Sequence, residues 1–547
     1  MTVASHLSRD ERRPRIPAVL AALALPLVLA LACSDPAAGS EATSSTSSTT
    51  TSTTSTTSTT TGDETTDAST TGADNPGALI VHSFGEFELQ PYQERFRCAI
   101  WTIGNEEALY VNTVHLSNDG GYHHSNWFIV PDDLFEGPDE FFKCSDRGYT
   151  ETIGAISGSV LFAQSTQSRY ETQALPEGVV VKVPPRHKVI SEVHFLNPSS
   201  VPLKTEMRMG FDLIHPAEVD VVVSPFRMDI GDLDVPALKH SRNQTECLFG
   251  DKYADFTGHP FDLKLYYVLP HFHYLGEHFF VDIAGGPRDG ERIYELDGFN
   301  GDGNGQVYDP PIDMSGAAGF RFGCGYNNWT NSDVHYGVGD QEMCTMLGLA
   351  DAHALLDGVV SGGTMAVGVD GETVVMEGPC GILTVPKTAA YSMPKAEEIA
   401  GELYLPPPGP GDSDLPPVKP CADADPGATP TIEATLSDLR WALFEPGCSF
   451  NACHAMGPSG AAAGLNLRGD GLHAALLGHE LQADAGMPLI TPGDPSQSWL
   501  YRLVSECAPT DAEGNVVAHM PLNAPTLAGD GLLAALRQWI ADGALDN

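Results

Sequence analysis

Short runs in which apolar and polar residues alternate fill the chain between Leu79 and Leu405, among them ALYVNTVHLS, SNWFIV, GSVLFAQS, GVVVKV, KVISEVHFL, LKLYYVLPHFHYL, HFFVDI, TMAVGV and ETVVME. A period of two puts successive side chains on opposite faces, the pattern of a strand with one face in a core. Gly, Pro, Asn and Asp break the runs at short intervals, which predicts antiparallel β-sandwiches, two of them for this length. Their junction is placed near VVVSPFRMDIGDLDVP, residues 221–236. A stretch rich in Pro, Gly and Asp follows, from Pro406 to Pro430, and then the period changes. TLSDLRWALFEPG sets Leu436, Leu439, Leu443 and Phe444 near one helical face, and AGDGLLAALRQWIADGA predicts a final helix capped by Asp530 and stopped by Gly543. A small α domain therefore closes the chain.

The N-terminus carries Arg9, Arg12, Arg13 and Arg15 ahead of an apolar run from Ala18 to Ala32, the pattern of an export signal and too short for a membrane span. The run ends Leu29-Ala30-Leu31-Ala32-Cys33, which resembles a bacterial lipobox and implies lipidation of Cys33. Ala30 stands where the lipobox has Leu, so cleavage without lipidation is the alternative. From Thr43 to Thr71 the chain is nearly all Ser and Thr, which cannot offset its chain entropy by burial and predicts a disordered tether. The expected product is an exported, membrane-anchored lipoprotein, periplasmic or on the cell surface.

Composition narrows the partners. Acidic residues outnumber basic ones by 72 to 29 in 547 residues, and a formal charge of −43 repels phosphate backbones, which argues against nucleic acid. The 56 Gly and 41 Pro argue against an all-helical protein.

Three elements carry candidate chemistry: the adjacent pair His123-His124 after Gly120 and Gly121, the alternating pair His271 and His273 around Phe272, and Met343 in DQEMCTM. Residues i and i+2 of a strand share a face, so His271 and His273 can hold one ion together, whereas the adjacent pair needs a bulge or a strand end. Imidazole with a thioether suits copper and stabilises its reduced state. In this order the elements resemble the copper type II, ascorbate-dependent monooxygenases, the family of the peptidylglycine α-hydroxylating and dopamine β-monooxygenases, over about residues 80–400. That resemblance implies two antiparallel jelly-roll domains, residues 79–228 and 229–402, each holding one copper ion. His123, His124 and His194 match the first site, while His271, His273 and Met343 match the second, where dioxygen is reduced. It also implies disulfides Cys98–Cys144, Cys324–Cys344 and Cys247–Cys380. The reaction expected is insertion of one oxygen atom from O2 into a C–H bond of a small molecule, with ascorbate or another electron donor. The peptide-amidating members grip a substrate carboxylate with an Arg two residues before His-x-His and a Tyr four after the Met; this chain has Leu269 and Leu347 there, which puts a peptidylglycine substrate in doubt. His115, His187, His278, His335 and His353 are read as structural or solvent-facing.

In FEPGCSFNACHAM, Cys448, Cys453 and His454 form a C-x4-C-H arrangement, two residues longer than the usual c-type heme attachment motif. Residues 431–547 resemble small cytochrome c-like domains of exported bacterial proteins. That implies heme c on Cys448 and Cys453, with His454 and Met520 as axial ligands, Met487 being the rival. A heme-free tail with Cys448 and Cys453 in a disulfide is the alternative. Eleven Cys, less Cys33, Cys448 and Cys453, leave an even number in an oxidising compartment, enough for four disulfides, with the pairing of Cys421 and Cys507 left open. The expected order is signal peptide 1–32, tether 33–78, the jelly rolls, a linker 403–430 and the cytochrome c-like domain 431–547. A non-catalytic, surface-anchored binding or copper-capture lipoprotein is the alternative from another class.

Overall fold

In a computed structural model, the described residues run from 77 to 547 apart from 165–167, 200, 274, 298–304, 329–331, 338–340, 410, 416–420, 450–453, 455–464, 480–486, 512–513, 515 and 522–527; side chains 124, 152, 155, 156, 164 and 297 are also outside the description. The signal, the lipobox cysteine Cys33, the tether and Cys453 therefore lie outside the described residues. No helix among those described is long and apolar enough to cross a membrane.

The fold is mainly β, with several sheets. Strands before residue 223 build two of them. One orders Ala78–Leu89, Leu203–Leu213, Leu109–Asn118, Val179–Val183 and Val221–Val222, with Tyr170–Ala174 also on Leu109–Asn118; the other orders Glu94–Thr102, His187–Leu196, Tyr122–Pro131 and Ser159–Gln164. Trp101, Val114, Trp127, Val193 and Phe211 are buried together between them. Later strands build two six-stranded sheets, one centred on Lys264–His271, Thr345–Asp351 and Ser224–Ile230, the other on Gly276–Ala284, Gly319–Asn328 and Lys239–Leu248. Phe249, Phe272, Phe279, Phe320 and Met346 fill their core.

Two details depart from the sequence reading. The pairing is not wholly antiparallel: Ser224–Ile230 runs parallel to Ala354–Val360, Lys239–Leu248 to Thr373–Glu377, and Val221–Val222 to Val179–Val183. A parallel pair needs a long crossover, and the chain between those partners supplies it. The change of sheets itself falls at Val223, inside the stretch 221–236 where the junction is expected, and Phe226 and Met228 already enter the second core. Asp530 does not cap its own helix, Asp530–Ala541; its Oδ1 accepts the backbone N–H of Asp425 instead.

Gly543, at φ +102, does stand just past that helix, where a left-handed residue ends a helix at least cost. The helix packs Leu533, Leu536, Trp539 and Ile540 on Leu439, Leu443 and Phe444. The linker is tied down: Ser83 donates its N–H to the Gly411 carbonyl, the Tyr404 hydroxyl oxygen accepts the N–H of Glu106, and Cys421 is bonded to Cys507.

Candidate metal centres

The first histidine cluster is a product of strand register. Tyr122–Pro131 and His187–Leu196 are antiparallel with His124 opposite His194, and the register slips between Tyr122 and His124. That slip is a bulge at His123, entered through Gly120 and Gly121 at φ +100 and +78, where a side chain would be strained. The bulge brings His123 to His194, ring centroids 4.7 Å apart and planes at 87°. His194 is buried, stacks on Phe96 at 4.1 Å, and its Nε2 lies 2.9 Å from Glu94 Oε1. With Nε2–H donated to a carboxylate, Nδ1 carries the lone pair, the arrangement of a ligating imidazole held from behind. For His124 only the backbone place is described.

The second cluster forms where Lys264–His271 ends. Phe272 turns into the core, and its ring occupies the space beside Gly276, where a Cβ would fall 1.8 Å from a ring carbon. His271 and His273 flank it with rings 5.2 Å apart at 87°. His273 sits past the strand end rather than within the strand, and the side chain that fixes it is Glu342. This wholly buried carboxyl accepts the backbone N–H of His273 at 2.8 Å and of Leu275 at 2.7 Å. The His273 Nδ1–H donates to the Gln341 carbonyl at 2.7 Å, leaving the lone pair on Nε2. Nε2 of His271 is buried with no hydrogen-bond partner among the described residues, an unsatisfied atom that a metal ion would satisfy.

Burial, with His273 beside it, lowers His271 to about 3, and burial lowers His273 against the pull of its bond to Gln341. Both rings are thus neutral at pH 7, the form that donates to a metal. Burial pushes Glu342 up to about 8 against the N–H groups of Leu275, His273 and Met343.

Met343 is buried, directly after Glu342 and two residues before Thr345, which pairs with His271. Its carbonyl accepts the Tyr326 hydroxyl at 2.6 Å, and the next residue, Cys344, is bonded to Cys324. No protein-family model and no curated protein matches the chain. Among solved structures, it is similar to the major capsid protein P2 of bacteriophage PM2, at 6% identity and TM-score 0.21 over 48% of this chain and 98% of that one. It is also similar to infectious bursal disease virus Gx strain, at 9% identity and TM-score 0.09 over 50% of this chain and 72% of that one. At those scores neither likeness says what this chain does.

The remaining site residues are placed as follows. Cys98 is bonded to Cys144 and Cys247 to Cys380, the pairings the resemblance implies. Leu269 and Leu347, at the positions of the amidating Arg and Tyr, are directly opposite on neighbouring strands; Leu269 packs on the core of the first pair of sheets and Leu347 on the cluster of Cys98, Ile100 and Phe128. Arg321 pairs with Glu246 at the surface, and Tyr326 is wholly buried. His115 is fixed by Asp212 at 2.8 Å, His187 by the Pro185 carbonyl and His278 by Glu295, each a structural role. In the tail, Cys448 is unpaired among the described residues and, like Met520, packs on the tail core, while the His454 N–H donates to the Cys448 carbonyl. The tail touches loops beside that region: the Tyr92 hydroxyl donates to Ala442 O at 2.9 Å, and a Cβ on Gly447 would lie 2.9 Å from the carbonyl oxygen of Pro198, two residues past the strand bearing His194. Glu94 and Glu342, which hold the ligand segments, were not singled out by sequence; the only signal for Glu342 is its place just before Met343.

Proposed function

We propose that the chain is a copper-dependent monooxygenase, exported and held at a membrane by a lipid on Cys33, which inserts one oxygen atom of O2 into a C–H bond of a small molecule. In this reading the two pairs of sheets are jelly-roll domains and the helical tail is a cytochrome c-like domain. The carrying observation is the pair of unlike clusters: His123 and His194 joined by a bulge, with His124 opposite, and the neutral His271 and His273, the latter held by Glu342, the residue just before Met343. Three imidazoles and a set of two imidazoles with a thioether both suit copper, and the thioether favours its reduced state. Copper bound there supplies one-electron chemistry and activation of dioxygen.

The chain's own part is orientation and exclusion. Glu94 and the Gln341 carbonyl fix the tautomers of His194 and His273. Leu269, two residues before His271 and on its face of the strand, and Leu347 opposite it are apolar where the amidating members carry Arg and Tyr, which leaves no charge there to hold a carboxylate and fits an uncharged substrate better. The second oxygen atom leaves as water, with two electrons and two protons drawn from ascorbate or another donor. The tail, with Cys448, Cys453, His454 and Met520 as the residues that would hold heme c, touches Tyr92 and the loop at Pro198 just past the strand bearing His194, which fits an electron relay to that site.

The test is metal and heme analysis of purified, signal-free protein beside Met343→Ile. Two coppers and one pyridine hemochrome per chain are expected, with the copper–sulfur scatterer and all hydroxylation lost in the variant while the first site stays loaded. Copper-free protein, or hydroxylation at the original rate by Met343→Ile, would overturn the proposal.

A further inference from the structure

A third group of metal-type ligands lies on the second pair of sheets, away from both histidine clusters, and owes nothing to the function proposed above. His259 leaves the helix Gly250–Thr257 just after Gly258, whose φ of +76 ends that helix. Phe261, buried against Phe249 and Tyr253, anchors the segment, and Asp262 follows. His353 comes from elsewhere, the two-residue turn between Thr345–Asp351 and Ala354–Val360. One ligand atom from each of His259, Asp262 and His353 lies within 4.8 Å of the other two. His353 Nε2 is 3.6 Å from Asp262 Oδ2, and the imidazoles of His259 and His353 stack with centroids 3.8 Å apart at 13°.

The second observation is behind the ligands. Tyr253 is wholly buried, and its oxygen accepts the backbone N–H of His353 at 2.7 Å, while burial, helped by the nearby Asp262 carboxylate, pushes its hydroxyl up to about 12. One buried hydroxyl thus fixes the turn that carries His353 and stands beside Asp262, as the supporting residues of metal sites do. A metal lies in the plane of an imidazole that binds it, and both rings are exposed, so the stacked imidazoles turn about their Cβ–Cγ bonds to bring one nitrogen of each onto an ion.

We infer that His259, Asp262 and His353 form a site for a divalent transition ion of borderline softness, zinc(II) first, with water in the fourth position. Two imidazole nitrogens and one carboxylate oxygen are a zinc ligand set, and the open position is that of a site with three protein ligands. Bound there, the ion clips the end of the helix to the turn that carries His353.

Zinc(II) alone is the probe, on the full signal-free chain. Equilibrium dialysis is run on the original protein, His353→Ala and Tyr253→Phe, and crystals soaked in zinc chloride are measured on both sides of the zinc edge. The expected results are an anomalous peak among His259, Asp262 and His353, one zinc fewer per chain in His353→Ala, and a 10- to 100-fold weaker site, by order of magnitude, in Tyr253→Phe. His353→Ala alters an exposed turn, so its metal-free melting curve should match the original. Equal zinc stoichiometry in both proteins, or no peak at these residues, would overturn the inference whatever the copper analysis gives.

Discussion

Replacing Glu342 by Ala probes the one side chain that joins the two ligand segments of the second cluster. In the folded protein its carboxyl accepts the N–H groups of His273 and Leu275 at 2.8 and 2.7 Å, in a place with no exposure to solvent. Alanine strands both donors. A buried donor left without a partner costs about 1–3 kcal/mol, so the pair should cost about 2–6 kcal/mol. With a urea slope of about 2 kcal/mol/M, the midpoint should fall by about 1–3 M. Glu342→Gln keeps one acceptor oxygen and should lose about half as much. A local readout separates this from general damage: amide exchange at His273 and Leu275 should quicken roughly 5- to 150-fold, at tenfold per about 1.4 kcal/mol, while exchange in the sheet Glu94–Thr102 stays as it was. If the midpoint moves by less than about 0.3 M and those two amides keep their protection, Glu342 is not a brace and the reasoning fails.

Two further outcomes follow from buried contacts. Arg227→Met removes the partner of Asp357, bound through Nε at 2.9 Å and Nη2 at 3.3 Å, and should cost about 3–5 kcal/mol at neutral pH. Burial already raises Asp229 and Arg227 opposes that, so the variant raises it further; a raised carboxyl contributes stability below its unfolded value that is lost as pH rises, so the urea deficit should be larger at pH 7 than at pH 4, and an equal deficit would count against it. Gly276→Ala drives a methyl into the Phe272 ring and should cost about 1–3 kcal/mol by calorimetry, with unchanged melting as the contrary result.

The strand-rich part was legible because its period is local: each run needed only its own alternation to be read, and strands such as Leu109–Asn118, His187–Leu196 and Gly276–Ala284 lie where the pattern put them. What local patterns do not carry is who pairs with whom. The parallel partnership of Ser224–Ile230 with Ala354–Val360 spans more than a hundred residues, and nothing in either run marks it. Asp530 fails as a cap for the same reason. Its residue type and place suited its own helix, and the competitor was the Asp425 amide brought in from the linker by the fold. The short helices Glu151–Ser157 and Gly250–Thr257, of 7 and 8 residues, are shorter than the stretch of about 11 residues over which a helical period declares itself.

The candidate site divides along the same line. Ligand-type residues are recognisable one by one, and the requirement that adjacent histidines need a bulge is a statement about backbone geometry that two glycines make cheap; the slip between Tyr122 and His124 is that geometry. The residues that hold ligands in place are different in kind. Glu94 and Glu342 are carboxylates, read in a sequence as solvent-facing charge, and Glu342 becomes a brace only because the strands on either side of it put backbone donors in its reach. His259 and His353 carry the point further, since 94 residues and two unrelated turns separate them and their only meeting place is above Tyr253. A side chain's chemistry can therefore be read from its type, but its coupling to other side chains depends on register, and register is fixed by the sheets as wholes.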